Sequence, residues 1–167
     1  MMDLINQAER DQHYSIVKSQ AHYDASVRSA SINRWLGIAA IVSTAFVGTS
    51  IFANAAKDNP AFAILLGLIS FLAAALSGMQ TFLKYTEEAQ LHKTAASGYE
   101  KLRAELELYL LRYADQNQAD HQTALADFEK IKMELVELEG KSPTISDKIY
   151  DAAAKKKQSR PPTSTDP

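Results

Sequence analysis

Two apolar runs stand almost back to back in the middle of this chain: no Asp, Glu, Lys or Arg occurs over residues 35–56, nor over residues 59–83. A helix over the first run extends about 33 Å at 1.5 Å per residue, which matches a hydrocarbon core about 30 Å thick. Leu36, Ile38, Ile41, Val42, Phe46, Val47, Ile51 and Phe52 favour its insertion. The second run is stronger still, with Phe62, Ile64, Leu65, Leu66, Leu68, Ile69, Phe71, Leu72, Leu76, Phe82 and Leu83. A buried hairpin in a water-soluble bundle would carry an apolar stripe and not an apolar cylinder. The remaining residues can hardly wrap two such cylinders. A cleaved signal peptide has a core of about 7–15 residues. Here the run is longer, starts late and is followed at once by another, although Ala53-Asn54-Ala55 imitates a cleavage site.

The spacing therefore predicts an all-α chain with a two-transmembrane helical hairpin, its helices extending into a cytoplasmic helical bundle or coiled coil. The spans are 35–56 and 61–83, joined by an extracytoplasmic turn at 57–60. That turn is Lys57-Asp58-Asn59-Pro60, in which Asn and Asp suit a turn and Pro60 suits the first position of a new helix. Both termini then lie on one side. Lys18, Arg28 and Arg34 precede the first span and Lys84, Lys93, Lys101 and Arg103 follow the second, against Lys57 alone in the turn. The termini are expected to be cytoplasmic.

The overall composition, 46% apolar and 23% charged with net charge −2, averages this middle with polar flanks. Near-neutral charge gives no general signal for polyanion binding, and no direct nucleic-acid contact is expected. Residues 1–34 lack Gly and Pro and predict a cytoplasmic amphipathic helix with a loose apolar pattern, Leu4, Ala8, Tyr14, Val17, Ala21 and Ala25. In residues 84–115 the pattern sharpens: Ala95, Tyr99, Leu102, Leu106, Tyr109 and Tyr113 alternate spacings of four and three. That is a heptad seam, read as a cytoplasmic assembly seam whose simplest partner is the amino-terminal helix. Asp115-Gln116-Asn117-Gln118 reads as a break. A second cytoplasmic helix at 121–139 repeats the seam with Ala124, Phe128, Ile131, Leu135 and Leu138 and ends near Gly140. Residues 140–167 read as a short frayed helix opened by Ser146, then a disordered tail rich in Pro, Ser and Thr. Lys155-Lys156-Lys157 there suits either an anionic leaflet or plain solvation.

No catalytic constellation is evident. The absence of cysteine excludes disulfides, thiolate zinc sites and a cysteine nucleophile, and no phosphate loop or dinucleotide fingerprint occurs. His13, His22, His92 and His121 lack ligand spacing, so neither metal nor cofactor is expected. Glu87 and Glu88 sit just past the second span and read as interfacial solvation. His92, one turn from Glu88, reads as a packing histidine, with a pH-sensitive pair as the sharper alternative.

The more informative polar residues are inside the spans. Ser43, Ser50 and Asn54 are offset by seven and four, and Ser70, Ser77 and Thr81 repeat the same offsets. Each set falls on one helix face. Exposing such groups to lipid is unfavourable, so the stripes suit helix packing or the lining of a water path. Ala40-x-x-x-Thr44-x-x-x-Gly48 and Ala74-x-x-x-Gly78 are small-residue tracks that favour the packing side. Gln80 suits a helix contact or a wet site. Two helices alone enclose no channel, so a water path requires a homo-oligomer.

The order of these features resembles the SLATT family of two-transmembrane effectors of bacterial conflict systems. The likeness rests on His22-Tyr23, Trp35-Leu36-Gly37-Ile38, Val47-Gly48-Thr49-Ser50-Ile51-Phe52, Gln80-Thr81-Phe82-Leu83, and then His92, Ala96, Tyr99 and Leu102-Arg103. It covers roughly residues 10–115. The resemblance implies a plasma-membrane effector that perforates the bilayer in antiphage, abortive-infection defence, with a nucleotide-signalling or sensor partner. It supplies no catalytic residues. The chain departs from a self-contained sensor-effector in having no evident fused nucleotide-binding domain. The alternative is a membrane-anchored interaction module that recruits a cytoplasmic partner without opening the bilayer.

Overall fold

The protein is described by a computed structural model over residues 2–48, 60–114 and 120–158; at 46–48 and 80–82 the description covers the backbone alone. Among the described residues the chain is all-helical, with no strand. Helix α1 is Met2–Gly48, α2 is Pro60–Phe82, α3 is Tyr85–Arg112, α4 is His121–Lys141 and α5 is Asp147–Gln158. The end of the first apolar run, the turn at 57–59, the break at 115–118 and the tail beyond 158 lie outside the described residues.

Local chemistry sets these boundaries. With no Gly or Pro before Gly37, nothing interrupts α1 between the polar flank and the first apolar run. Pro60 opens α2, where its missing N–H costs nothing. Between α2 and α3, Lys84 takes a φ of 45°, a left-handed conformation that ends one helix and admits the next. Leu83 N still donates to Met79 O at 2.9 Å, and Glu88 N to Lys84 O at 3.1 Å, so both helix ends are satisfied. Asp120 caps α4, its carboxylate accepting from the backbone N–H groups of Gln122 and Thr123. Ser142 closes α4 through its backbone N–H and its hydroxyl, both donating to Leu138 O. Ser146 O accepts from Ile149 N and Tyr150 N to begin α5.

The chain divides into two compact units, one built from residues 1–26 and 90–167 and the other from residues 27–89. In the first unit, Ala8, Leu106, Tyr109, Tyr113, Ala124 and Phe128 form one buried cluster. Tyr99, Leu102 and Leu135 form another, with Tyr14, Ile131 and Leu138 against it. Val17, Ala21 and Ala153 form a third, joined by Ile145, Ile149 and Tyr150. Helix α5 is therefore docked on α1 and not merely frayed, with Ala153 fully buried. Gly98 lets α3 and α4 approach closely: a Cβ there would lie 2.7 Å from Leu138 Cδ1.

The second unit is organised differently. Among the described side chains of α2, Phe62, Leu66, Ile69, Ala73 and Leu76 are the partly or fully buried positions, spaced four and three. Among the described side chains of the spans, Ala73 and, on α1, Ala40 are the most buried. The small residue that supports close approach on α2 is thus Ala73; Ala74 is exposed, and Gly78 has open space where a side chain would stand. The expected Ala74-x-x-x-Gly78 track therefore points away from the packed line, one residue and about 100° around the helix from it. Trp35, Ile41, Val42, Ile64, Leu68 and Phe71 are all at least half exposed.

Among the described residues one helical segment, Pro60–Met79, is long and apolar enough to cross a membrane, and 6% of its most apolar window is buried. That low figure decides between two origins for such a helix. A core helix of a water-soluble protein would be mostly covered, whereas this one presents its apolar surface outward.

Candidate functional site: the polar positions of the spans and the buried histidine pair

The polar residues expected to line or pack the spans divide into three groups. Ser50 and Asn54 lie outside the described residues, and Gln80 and Thr81 are described only as part of the α2 backbone. Ser43 Oγ donates to Ala39 O at 2.8 Å, Thr44 Oγ1 to Ala40 O at 2.8 Å, and Ser70 Oγ to Leu66 O at 2.9 Å. Each hydroxyl is thereby satisfied by its own helix, one turn back. Ser70 and Ser77 are exposed on α2, whereas Ser43 is half-buried on α1. A hydroxyl bonded in this way tolerates lipid, protein or water beside it, so the stripes do not by themselves require a wet environment. At the polar end of this unit, Asn33 Nδ2 donates to Thr86 Oγ1 at 3.0 Å, tying α1 to the start of α3.

The heptad seam of α3 is placed more definitely. Ala95, Tyr99, Leu102, Leu106, Tyr109 and Tyr113 are all buried inside the first unit. Their contacts are with α1 and α4 of the same chain, so this seam is occupied before any second copy arrives. Polar pairs join the helices around it, two between α1 and α4 and two at the end of α3. Tyr14 donates to Glu139 at 2.6 Å, and Lys132 to Asp11 at 2.6 Å. Tyr113 donates to Asp127 at 2.7 Å, where Arg112 also donates at 3.0 Å. The Tyr113 hydroxyl bond holds the Asp127 carboxyl below its usual range, and the same bond raises the Tyr113 phenol. Burial, reinforced by Glu139, pushes the Tyr14 phenol well up.

The most unusual group in the unit is a pair of histidines brought together from positions 70 residues apart. His22 Nδ1 lies 2.9 Å from His92 Nδ1, and both rings are buried. Tyr99 stacks on His22 with ring centroids 5.4 Å apart and planes 16° from parallel. Burial, then His92 and Lys18, lowers the His22 pKa from 6.5 to about 4, so this ring is neutral at pH 7. Among the described residues no group of three or more metal-ligating side chains gathers, and the two nitrogens are spaced as a hydrogen bond.

The sequence offers His92 as a packing histidine with Glu88, one turn away, as its partner in a pH-sensitive pair; the structure pairs it with His22. The missed signal was on α1, where Ala8, Ser15, His22 and Ser29 recur every seven residues and all four are buried. Three of them are polar, so a search for apolar periodicity passed over that heptad position. Ser15 satisfies its hydroxyl at Asp11 O, 2.9 Å away.

Comparison with curated proteins and with solved structures gives no match in either case. Comparison with family models gives one that spans residues 10–166, well beyond the stretch in which the resemblance was legible. The chain belongs to the SMODS and SLOG-associating 2TM effector domain family 4.

Proposed function

We propose that this chain is a membrane effector of a bacterial conflict system. It crosses the plasma membrane twice, keeps both termini in the cytoplasm, and assembles into oligomers that permeabilise the bilayer in antiphage, abortive-infection defence. The observation that carries this reading is the Pro60–Met79 segment, long and apolar enough to cross a membrane with 6% of its most apolar window buried, in a chain of a two-transmembrane effector family. Outward apolar surface of this extent is stable in lipid and aggregation-prone in water. The helical unit formed by residues 1–26 and 90–167 is the part that a nucleotide signal or sensor partner would act on, because its charged surface is suited to water.

The decisive experiment is dye release from liposomes carrying the purified full chain, with insertion checked by resistance to alkaline carbonate. Release that falls on replacing both Ser50 and Ser77 by Leu, with insertion unchanged, supports a permeability path. Correctly inserted protein that releases no dye, alone or with cyclic and linear oligonucleotide signals added, overturns the proposal.

A second reading has one observation in its favour: the hydroxyls of Ser43, Thr44 and Ser70 are satisfied within their own helices. Spans of that kind serve equally as anchors for an interaction module. Replacing both spans with unrelated apolar helices preserves function in that case and abolishes it in a pore.

A further inference from the structure

A hydrogen bond between two Nδ1 atoms constrains the protonation of both rings. One ring must donate and the other accept, so at least one Nδ1 must be without a proton. Adding one proton at Nε2 of the donor ring leaves the bond intact. Adding a second places N–H groups nose to nose at 2.9 Å and two positive charges on rings whose centroids are 5.2 Å apart. We propose that His22 and His92 form an acid-operated latch, which holds α1 on α3 while at least one Nδ1 is unprotonated and releases this part of the helical unit when both rings are charged. The device concerns the helical unit alone and holds whether or not the spans permeabilise a membrane.

The surroundings favour release over accommodation. On α1, Lys18 adds positive charge, lying 5.4 Å from the Tyr14 ring and 5.5 Å from the Tyr150 ring of α5. Asp24 is engaged by Gln20 at 2.8 Å and by Lys156 of α5 at 3.8 Å. On α3, Tyr99 covers one face of His22 with a neutral phenol. From α4, the Glu139 carboxylate accepts from the Tyr14 hydroxyl at 2.6 Å. The charges acting on His22 are those of His92 and Lys18, both of which oppose its protonation. Opened helices expose the rings to water, where each protonates at its ordinary value. Stability supplied by neutral His22 is therefore complete above about pH 6.5 and is lost as pH falls toward its lowered folded value.

The test is hydrogen exchange on the full chain in lipid nanodiscs from pH 7.5 to 4.5, corrected for intrinsic rate. Segments 14–26 and 90–106 should open progressively as pH falls, by up to about tenfold per pH unit for the lowered His22 ring. The double variant His22→Gln, His92→Gln keeps a side-chain hydrogen bond without titration and should lose that acid dependence. Unchanged protection of these segments at pH 4.5, or the same acid opening in the double variant, overturns the latch. Should the variant fail to fold, nitrogen NMR of the wild-type histidines decides. A shared Nδ1 proton, with the pair's second protonation well below its first, supports the proposal; two independent titrations near 6.5 overturn it.

Discussion

The two units of this chain bury opposite things. In residues 1–26 and 90–167, rings and aliphatic side chains are inside, and ion pairs such as Lys101 with Glu105 and Glu134 run over the surface. In residues 27–89 small residues, Ala40 and Ala73, are inside, while Trp35, Ile41, Ile64 and Phe71 are outside. Each arrangement suits a different solvent. Water drives large apolar groups inward; lipid gives them no reason to move in, so packing selects residues that let backbones approach.

Two side chains of equal exposure test this contrast most sharply. Phe71 on α2 is 69% exposed and Leu111 on α3 is 70% exposed. By accessibility alone they are interchangeable. Phe71→Lys should weaken insertion by about 3 kcal/mol, since a lysine near the middle of a span costs roughly 2.5–3.5 and the lost Phe a few tenths more. Leu111→Lys should change stability by no more than about 0.5 kcal/mol. Carbonate extraction of the first variant and thermal unfolding of the second give the two numbers; similar behaviour at both sites would erase the distinction between the units.

A smaller effect is expected at the contact of α3 with α4. Gly98→Leu should destabilise the helical unit by about 1–3 kcal/mol, the usual range for overpacking, because the first added carbon already meets Leu138 Cδ1. The obstructing atom is the end of a flexible side chain. Adding Leu138→Ala should therefore return part of the loss, with a coupling of about 1 kcal/mol in a double-mutant cycle. Additive losses would mean that the two helices separate instead of repacking.

Much of this architecture was legible wherever burial follows apolar identity. The α3 seam and the α4 positions Ala124, Phe128 and Leu135 are buried, and their spacing announced them. It failed where small or polar residues occupy the inner face. Ser15 and His22 are as buried as any leucine, yet their burial depends on a partner atom elsewhere in the fold. The same limit governs the spans. Ala73 and Ala74 are indistinguishable by composition, and only the line defined by Phe62, Leu66, Ile69 and Leu76 selects one of them. Polar offsets of seven and four on one face did not reveal that the hydroxyls bond backward into their own helices.

The smallest effect concerns how helices begin in the two units. Helix α4 begins with a carboxylate: Asp120 accepts from Thr123 N at 3.1 Å and from the Thr123 hydroxyl at 2.6 Å. Those bonds, the hydroxyl's first, hold its pKa below the usual aspartate value. A lowered carboxylate stabilises above its unfolded pKa, and the contribution disappears as pH falls through the folded value. Helix α2 begins instead with Pro60 and has no acidic residue in its first turn. Acidification toward pH 3 should thus loosen the first turn of α4, raising amide exchange at Gln122 and Thr123 roughly fivefold, as removal of an N-cap does. The first turn of α2 itself carries no acidic residue to titrate. Asp120→Asn keeps an acceptor for the amides but not the titration, so its first turn should exchange at nearly the same corrected rate at pH 3 and pH 7. A first turn of α4 that loosens equally in wild type and Asp120→Asn would trace the acid response to the histidine pair or the Tyr113–Asp127 contact and remove the cap from the comparison.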